Sequence, residues 1–319
     1  MQADKNPTIK ESWSVVHPLS PEDSAAMTAL RSAVAVMKGK LEGVPARAPF
    51  NGIMEHVATP DGVGFQADTV GGISGWWAKP AEARKGAAIL HLHGGWFNWG
   101  TASAFRSFVG HIARAAGADT FIPDYRLAPE YLFPAAVKDA EASYRGLVER
   151  GKKKIALTGD SAGGNLALVL LSITTAQAGS AKIAPEGAVV LSPVTDLALT
   201  GECFETRAEA DPYFLRPQAA GLVRSYLGEN DPKNPLASPL YGDLAGLPPV
   251  RVHVGDDEVL LDDSRRYVER AVAASVDARL DIWMGMPHGF VNGVGNMHAA
   301  NEALLAIGTF LNDLLEEGR

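Results

Sequence analysis

The chain has 319 residues, of which 46% are hydrophobic and 21% are charged, and its formal net charge is −8. This profile predicts a globular protein with a large core, and the acidic balance argues against a nucleic-acid partner. The single cysteine, Cys203, excludes an internal disulfide and a cysteine-rich metal site and favours a reducing compartment.

The start of the chain lacks the apolar stretch of a signal peptide. No later run approaches the roughly 20 apolar residues that a membrane-spanning helix requires. We therefore expect a cytoplasmic protein without a membrane span.

The first predicted helix begins at Pro21 and runs to about Lys38. Ser20 is a favourable N-cap, and proline is preferred at the first helical position. Four apolar residues recur on one face at helical spacing, so this face packs on the core or covers a pocket. They are Met27, Leu30, Val34 and Met37. Residues 1–19 are expected to be irregular, and residues 43–49, rich in proline and glycine, to form a linker.

Beyond Gly52, short apolar strands alternate with helices. Two strands, Ile53–Thr59 and Gly72–Ala78, are predicted on either side of the turn signal at residues 60–62. Further strands are predicted at residues 87–93, 120–123, 155–157, 188–191, 250–254 and 279–284. Helices are predicted at residues 103–116, 134–149, 166–173, 264–274 and 301–315. This alternation predicts an α/β protein with a mostly parallel sheet covered by helices on both faces.

A long interval separates the strand that ends at Leu191 from the one that begins at Val250. It contains many prolines and aromatic residues and is too long for an ordinary connection, so we interpret it as an inserted helical element. Together with the N-terminal helix it could form a cap above the sheet. The expected division is residues 1–48 for the N-terminal cap helices, residues 195–235 for the inserted cap segment, and residues 49–194 and 236–319 for the core.

The stretch from Thr158 to Asn165 has the pattern of a nucleophile elbow. It places Ser161, flanked by glycines, between a predicted strand and a predicted helix. Small neighbours leave room for a strained turn, and the N-terminus of the helix favours negative charge nearby. A G-x-S-x-G run alone is common in ordinary turns, so a catalytic role depends on partners elsewhere.

A serine nucleophile needs a base and a third group that orients the base. His288 is the best candidate base, because it follows a predicted strand at the end where active sites of open α/β sheets collect. The acid is expected after the strand at residues 250–254, where Asp256, Asp257 and Glu258 compete for the position. Two further carboxylates of this segment are solvated or cap the next helix. They are Asp262 and Asp263.

Backbone donors for a bound oxyanion are expected from the glycine-rich loop after the strand at residues 87–93. They would be the N–H groups of Gly94, Gly95 and Trp96, joined by the N–H of Ala162 after the nucleophile. His91 and His93 alternate on this strand, but two histidines without a third ligand make a weak metal site, so no metal is expected.

Taken together, these residues resemble the bacterial hormone-sensitive lipase family of carboxylesterases, which have the α/β-hydrolase fold. The resemblance covers roughly residues 85–295 and rests on four separate blocks in the order of that family. The blocks are His93-Gly94-Gly95, residues 124–130 with 133–136, residues 159–164, and His288-Gly289-Phe290.

The resemblance implies a triad of Ser161, Glu258 and His288, since the acid of the family stands three residues after the position of Gly255. It implies that Gly95, Trp96 and Ala162 donate to the oxyanion, although the family usually has a third glycine in place of Trp96. The acidic balance and the aromatic residues of the inserted element favour a small, mostly neutral, apolar ester with a short acyl chain, and such a triad requires no metal or cofactor. The similarity of residues 254–264 to lactone hydrolases of the family implies a lactone as an alternative substrate, and the family also implies pairing into a homodimer through an edge strand. The block at residues 125–130 is interpreted as a structural brace.

Two alternatives belong to other functional classes. One is a catalytically silent receptor for a small molecule on the same scaffold, as in the plant gibberellin receptors, but these lack the histidine that is present here as His288. The other is an amidase or carbamate hydrolase, which the same triad could perform. Hydrolysis of carboxylic esters remains the favoured prediction.

Overall fold

The structure is a computed structural model that describes residues 12–177 and 184–316. In this part of the chain a nine-stranded sheet occupies the centre, in the order β1-β9-β8-β7-β6-β4-β5-β3-β2. Strand β3 runs antiparallel to both of its neighbours, and every other pair is parallel. The predicted mostly parallel sheet is therefore confirmed. The strands are β1 Ser14–His17, β2 Val63–Val70, β3 Ile73–Pro80, β4 Ala87–Leu92, β5 Thr120–Pro123, β6 Lys154–Asp160, β7 Gly187–Leu191, β8 Val250–Gly255 and β9 Ala278–Trp283.

Helices cover the sheet on both faces, as the alternation of elements predicts. On one face α4, α5 and α8 pack on Leu90, Leu157 and Val190. On the other face α3 and α9 pack on Ile89 and Ala156. Side chains of successive strand residues point to opposite faces, so each buried strand feeds both layers of the core. The helices are α1 Pro21–Val34, α2 Arg47–Glu55, α3 Ala102–Ala116, α4 Ala135–Glu149, α5 Ala162–Gln177, α6 Cys203–Thr206, α7 Arg216–Leu227, α8 Leu261–Ala273 and α9 His298–Leu315. No helix in the described ranges is long and apolar enough to cross a lipid bilayer.

The N-terminal segment contains more regular structure than expected. Residues 1–11 lie outside the described part of the chain, but Ser14–His17 form strand β1, which pairs in parallel with β9, so the expectation of an irregular segment is wrong there. A segment of four residues is too short to show the alternating pattern of a strand. Its partner β9 lies far away in the sequence, so no local pattern predicts the pairing. Helix α1 begins as predicted, with the N–H of Asp23 donating to Oγ of Ser20 at 3.0 Å. Of its predicted apolar face, Met27 is buried and Met37 is exposed.

The predicted strand Ile53–Thr59 is also wrong, because residues 47–55 form helix α2. The apolar residues of this stretch recur at helical spacing, and Met54 is buried against the helical layer of α3. The hairpin in this region is instead β2–β3, which turns at Gly71 and Gly72. Gly71 has a φ of 61° and contacts the backbone of α4 so closely that a Cβ would overlap the carbonyl of Ala142.

The interval between β7 and β8 contains α6 and α7, so its helical character is confirmed. It is bonded directly to the N-terminal segment. The N–H of Gly39 donates to the carbonyl of Tyr213 at 2.9 Å, and Nε2 of Gln218 donates to the carbonyl of Leu41 at 2.8 Å. Residue 48, the expected end of the N-terminal cap helices, lies within α2.

Candidate active site

Ser161 lies between β6 and α5, in the turn that the sequence pattern predicts. Its φ is 54°, a left-handed conformation that is costly for a residue with a side chain, and only 4% of its surface is exposed. Its N–H donates to the carbonyl of Leu191 at 2.8 Å, and its carbonyl accepts from the N–H groups of Asn165 and Val194, both at 3.1 Å. These bonds to β7 and α5 hold the strained turn in place.

The glycines around Ser161 are required by close backbone contacts. A Cβ at Gly163 would overlap the carbonyl of Leu92 at the end of β4, and a Cβ at Gly159 would overlap the backbone of Gly163. The turn therefore packs directly on the strand that leads into the glycine-rich loop. This contact brings Ser161 and the glycine-rich loop to the same edge of the sheet.

His288 and Glu258 are in direct contact at that edge. Nδ1 of His288 lies 2.7 Å from Oε2 of Glu258. The other carboxylate oxygen, Oε1, accepts from Oγ of Ser192 and from the N–H of Gly255, both at 2.7 Å. Glu258 is fully buried. With three donors around it, the carboxylate is held in one orientation and its buried charge is compensated.

The electrostatic environment of His288 favours its protonated form. Burial by itself lowers the pKa of His288, but the charge of Glu258 and the hydrogen bond to it outweigh burial and raise the pKa above its usual value. The carboxylates of Asp211 and Asp160 act in the same direction. An imidazolium formed at this position during a reaction would thus be stabilised.

The two competing carboxylates of the acid loop are engaged elsewhere. Oδ1 of Asp256 accepts from the N–H of Gly285. Oδ2 of Asp257 lies 2.5 Å from a guanidinium nitrogen of Arg31 on α1. Burial and the charge of Asp256 raise the pKa of Asp257, while the charge of Arg31 opposes this shift. Of the three candidates, Glu258 is the one that contacts His288.

The last two carboxylates of this segment bind the inserted element. Oδ2 of Asp262 accepts from the N–H of Cys203 at 2.8 Å. Oδ2 of Asp263 accepts from the N–H groups of Thr195 and Asp196 at 2.7 and 2.9 Å. Both aspartates lie in the first turn of α8, and Asp263 is fully buried rather than solvated. They attach the inserted element to the core.

The glycine-rich loop at residues 93–100 presents its backbone toward the same region. Its conformation is left-handed at three consecutive positions, with φ values of 120° at Gly95, 53° at Trp96 and 60° at Phe97. Within the described ranges, the N–H groups of Gly95 and Trp96 have no hydrogen-bond acceptor. The N–H of Gly94 donates to Oδ1 of Asp160 at 3.0 Å, so the expectation that Gly94 is a free donor does not hold.

His93, the first residue of this loop, packs against Tyr125. The two rings are stacked with centroids 4.3 Å apart, and the hydroxyl of Tyr125 donates to the carbonyl of His93 at 2.7 Å. Nδ1 of His93 lies 2.9 Å from the carbonyl of Gly94, and burial lowers the pKa of His93.

Nδ1 of His91 contacts the hydroxyl of Thr158 at 2.9 Å. In the part of the chain that the structure describes, no group of three or more histidine, cysteine, aspartate or glutamate residues could hold a metal ion.

Three residues of the site were not singled out from the sequence. Phe214, from the inserted element, meets the rings of His288 and Trp96 edge to face, at centroid distances of 5.1 and 5.5 Å. Asp211 accepts from the N–H groups of residues 213 and 214 through Oδ1, and from the N–H of residue 259, beside Glu258, through Oδ2. The third is Ser192, which binds Glu258. The Asp-Pro pair at residues 211–212 and the Ser-Pro pair at residues 192–193 are both turn signals, but a turn signal does not show which group the side chain binds.

Comparison with known proteins shows which family the chain resembles in sequence and fold. The sequence model of a family described by the alpha/beta hydrolase fold matches residues 89–292. The chain is 39% identical to an acetyl-hydrolase of Streptomyces hygroscopicus, over 69% of this chain and 73% of that protein. It is 34% identical to an esterase of Acinetobacter venetianus, over 73% of this chain and 77% of that protein. The crystal structure of an esterase from the bacterial hormone-sensitive lipase family superposes with a TM-score of 0.85 at 37% identity, covering 93% of this chain and 99% of that one.

A family match over most of the chain, relatives above 30% identity and a superposition of nearly the whole fold all lead to one assignment. The chain belongs to the bacterial hormone-sensitive lipase family of the α/β-hydrolase fold, and it is a carboxylic ester hydrolase.

Proposed function

We propose that the protein hydrolyses small, mostly apolar esters with short acyl chains through an acyl-enzyme intermediate on Ser161. The observation that carries this proposal is the 2.7 Å contact between Nδ1 of His288 and Oε2 of Glu258. The pair lies at the sheet edge where the turn after β6 presents Ser161. A serine, a base and a buried carboxylate that orients the base are the three groups that this chemistry needs.

In the first step Oγ of Ser161 attacks the carbonyl carbon of the ester, and Nε2 of His288 takes the hydroxyl proton. Glu258 accepts from Nδ1–H of His288, so Nε2 is the nitrogen left without a proton. The imidazolium then returns this proton to the oxygen of the leaving alcohol as the ester bond breaks. A water molecule attacks the acyl-enzyme by the same route and releases the carboxylic acid and free Ser161.

The oxyanion of each tetrahedral intermediate would be held by the N–H groups of Gly95, Trp96 and Ala162. The first two have no acceptor among the described residues, and Ala162 is the first residue of α5, where an N–H lacks a partner within the helix. Removing one such donor costs about 3 kcal/mol of transition-state stabilisation in comparable sites.

A preference for short acyl chains is supported by the bulk of the side chains around the site. Trp96 replaces a small residue in the oxyanion loop, and Phe214 packs edge to face on it and on His288. The similarity to an acetyl-hydrolase supports the same preference. A lactone is an ester whose alcohol stays attached after ring opening, so the same residues could also open a small lactone.

The test is hydrolysis of p-nitrophenyl esters of increasing acyl length by the wild type and by Ser161→Ala. We expect the highest kcat/KM on the acetate or butyrate and a loss of activity in the variant. Ser172→Ala is a matched control, because its hydroxyl binds the carbonyl of Leu168 within α5. Undiminished activity of Ser161→Ala would contradict the mechanism, and wild-type activity only on amides or carbamates would contradict the ester substrate.

We also propose that the N-terminal cap segment and the inserted element act together as a cap, and that the protein forms a homodimer through an edge of the sheet. The bonds between Gly39 and Tyr213 and between Gln218 and Leu41 support the cap. Light scattering coupled to size-exclusion chromatography tests the dimer, and a mass equal to one chain would exclude it.

A further inference from the structure

The oxyanion loop is in a conformation that its own sequence does not favour. Trp96 and Phe97 have positive φ values of 53° and 60°, although neither is a glycine. Such conformations persist only where surrounding contacts hold them. Some part of the structure must therefore stabilise this loop in the shape that leaves the N–H groups of Gly95 and Trp96 without acceptors among residues 12–177 and 184–316.

Asn98 supplies these contacts through its side-chain amide. Nδ2 of Asn98 donates to the carbonyl of Trp96 at 2.6 Å and to the carbonyl of Leu222 on α7 at 3.2 Å. Oδ1 of Asn98 accepts from the hydroxyl of Ser225, also on α7, at 2.7 Å. Only 1% of the surface of Asn98 is exposed. The amide thus joins the loop to the inserted helix from a fully packed position.

One side of α7 makes the contacts to Asn98 and to Phe97. Leu222, Ser225 and Tyr226 lie within about one helical turn of each other, so they point in the same direction. The ring of Tyr226 is stacked on the ring of Phe97 with centroids 3.9 Å apart and an angle of 6° between the planes. Helix α7 therefore contacts the loop directly at Phe97 and, through Asn98, at the carbonyl of Trp96.

We propose that Asn98 is a positioning residue, through which α7 of the inserted element sets the geometry of the oxyanion hole. The inference rests on the proposed function. The N–H and the carbonyl of Trp96 flank the same Cα, so holding the carbonyl restricts how far the N–H can turn. The two ends of an asparagine amide are similar in size, and the two carbonyls, which can only accept, select the orientation in which Nδ2 faces them. The hydroxyl of Ser225 donates to Oδ1 and completes the bonding of the amide in that orientation.

Helix α7 is thus a part of the machinery that stabilises the transition state, and not only a cover over the substrate. An oxyanion donor is useful only when it is aimed at the position that the developing charge occupies. Loss of the Asn98 amide should therefore affect the transition state more than the ground state, because the ester carbonyl carries little charge before attack.

The experiment compares Asn98→Ala and Ser225→Ala with the wild type on p-nitrophenyl acetate. We expect kcat to fall about 10- to 100-fold in Asn98→Ala and about 3- to 10-fold in Ser225→Ala, with KM changed less than about twofold. The affinity for trifluoroacetone, whose carbonyl carbon bonds to the serine oxygen to give a tetrahedral oxyanion, should fall in parallel with kcat/KM. Asn230→Ala is the matched control, because Nδ2 of Asn230 donates to the carbonyl of Leu227 on the same helix.

The outcomes separate this inference from the proposed function. A wild type without esterase activity, or a fully active Ser161→Ala, would contradict the proposed function itself. An active wild type with normal kcat and normal trifluoroacetone affinity in Ser225→Ala would overturn the role of Asn98, even if Asn98→Ala fails to fold. A rise in KM without a fall in kcat would show that Asn98 only shapes the binding of substrate. A pH profile of kcat/KM unchanged in both variants is expected, since neither touches His288 or Glu258.

Discussion

Replacement of Glu258 by glutamine tests the proposed triad, because the structure defines which way the new amide would face. Oε1 of Glu258 accepts two hydrogen bonds, from Ser192 and from the N–H of Gly255. The single oxygen of a glutamine would keep these two bonds, which leaves its NH2 group opposite Nδ1 of His288. An NH2 group donates, so it stabilises the tautomer of His288 that carries its proton on Nε2.

This tautomer cannot take the proton of Ser161. The alternative orientation of the amide would place its NH2 group against the N–H of Gly255 and lose the bond from Ser192. We therefore expect kcat to fall by about 10⁴-fold in Glu258→Gln, which corresponds to about 5 kcal/mol of activation free energy. The fold itself should change little, because glutamine has nearly the same volume and keeps the bonds of Oε1.

The assay is steady-state hydrolysis of p-nitrophenyl acetate, with the thermal unfolding midpoint measured on the same samples. Asp257→Asn is the matched control, since Asp257 binds Arg31 and not His288, and it should retain activity within about tenfold of the wild type. A loss of less than tenfold in Glu258→Gln, or a larger loss in Asp257→Asn, would refute the assignment of Glu258 as the acid.

The protonation of His288, the tight turn at Gly163 and the ring of Phe214 can each be tested separately. Because the charge of Glu258 outweighs burial and raises the pKa of His288, kcat/KM should fall as the pH drops through a value above the usual range for histidine, and Glu258→Gln should move this limb to lower pH. Gly163→Ala should lower the free energy of unfolding by at least about 1–3 kcal/mol in urea, because its Cβ would overlap the carbonyl of Leu92. Phe214→Ala should raise the ratio of kcat/KM on p-nitrophenyl octanoate to that on the acetate, since it removes a ring that packs on His288.

A limb of the pH profile below the usual pKa of histidine would mean that burial, and not Glu258, dominates. Gly221→Ala on α7 is the control for Gly163→Ala, because its Cβ would have only the end of the Arg224 side chain nearby, at 4.0 Å, and it should not destabilise the protein. An unchanged chain-length profile in Phe214→Ala would place the acyl group away from this ring.

The sequence predicted most of the core and failed at its beginning. Strand β5 was predicted with its observed bounds, and the strand-turn-helix around Ser161 appears where the glycines and the apolar segments indicated it. These elements carry their information locally, in periodicity and turn residues. Strand β1 depends on hydrogen bonds to β9, some 260 residues away, and helix α2 was mistaken for a strand because a short apolar run fits either period.

The sequence by itself determined the order of the reactive groups: a serine in a tight turn, a group of carboxylates, and then a histidine, each after its own strand. Parallel strands end at one edge of the sheet, so this order alone predicts that the groups gather there. The tertiary structure decided which carboxylate contacts His288, because Arg31 from α1 and Gly285 engage the two alternatives. It alone decided the surroundings of the oxyanion loop, where Asn98 meets α7 and Phe214 meets His288. Such contacts join residues more than 70 positions apart, and no local pattern records them.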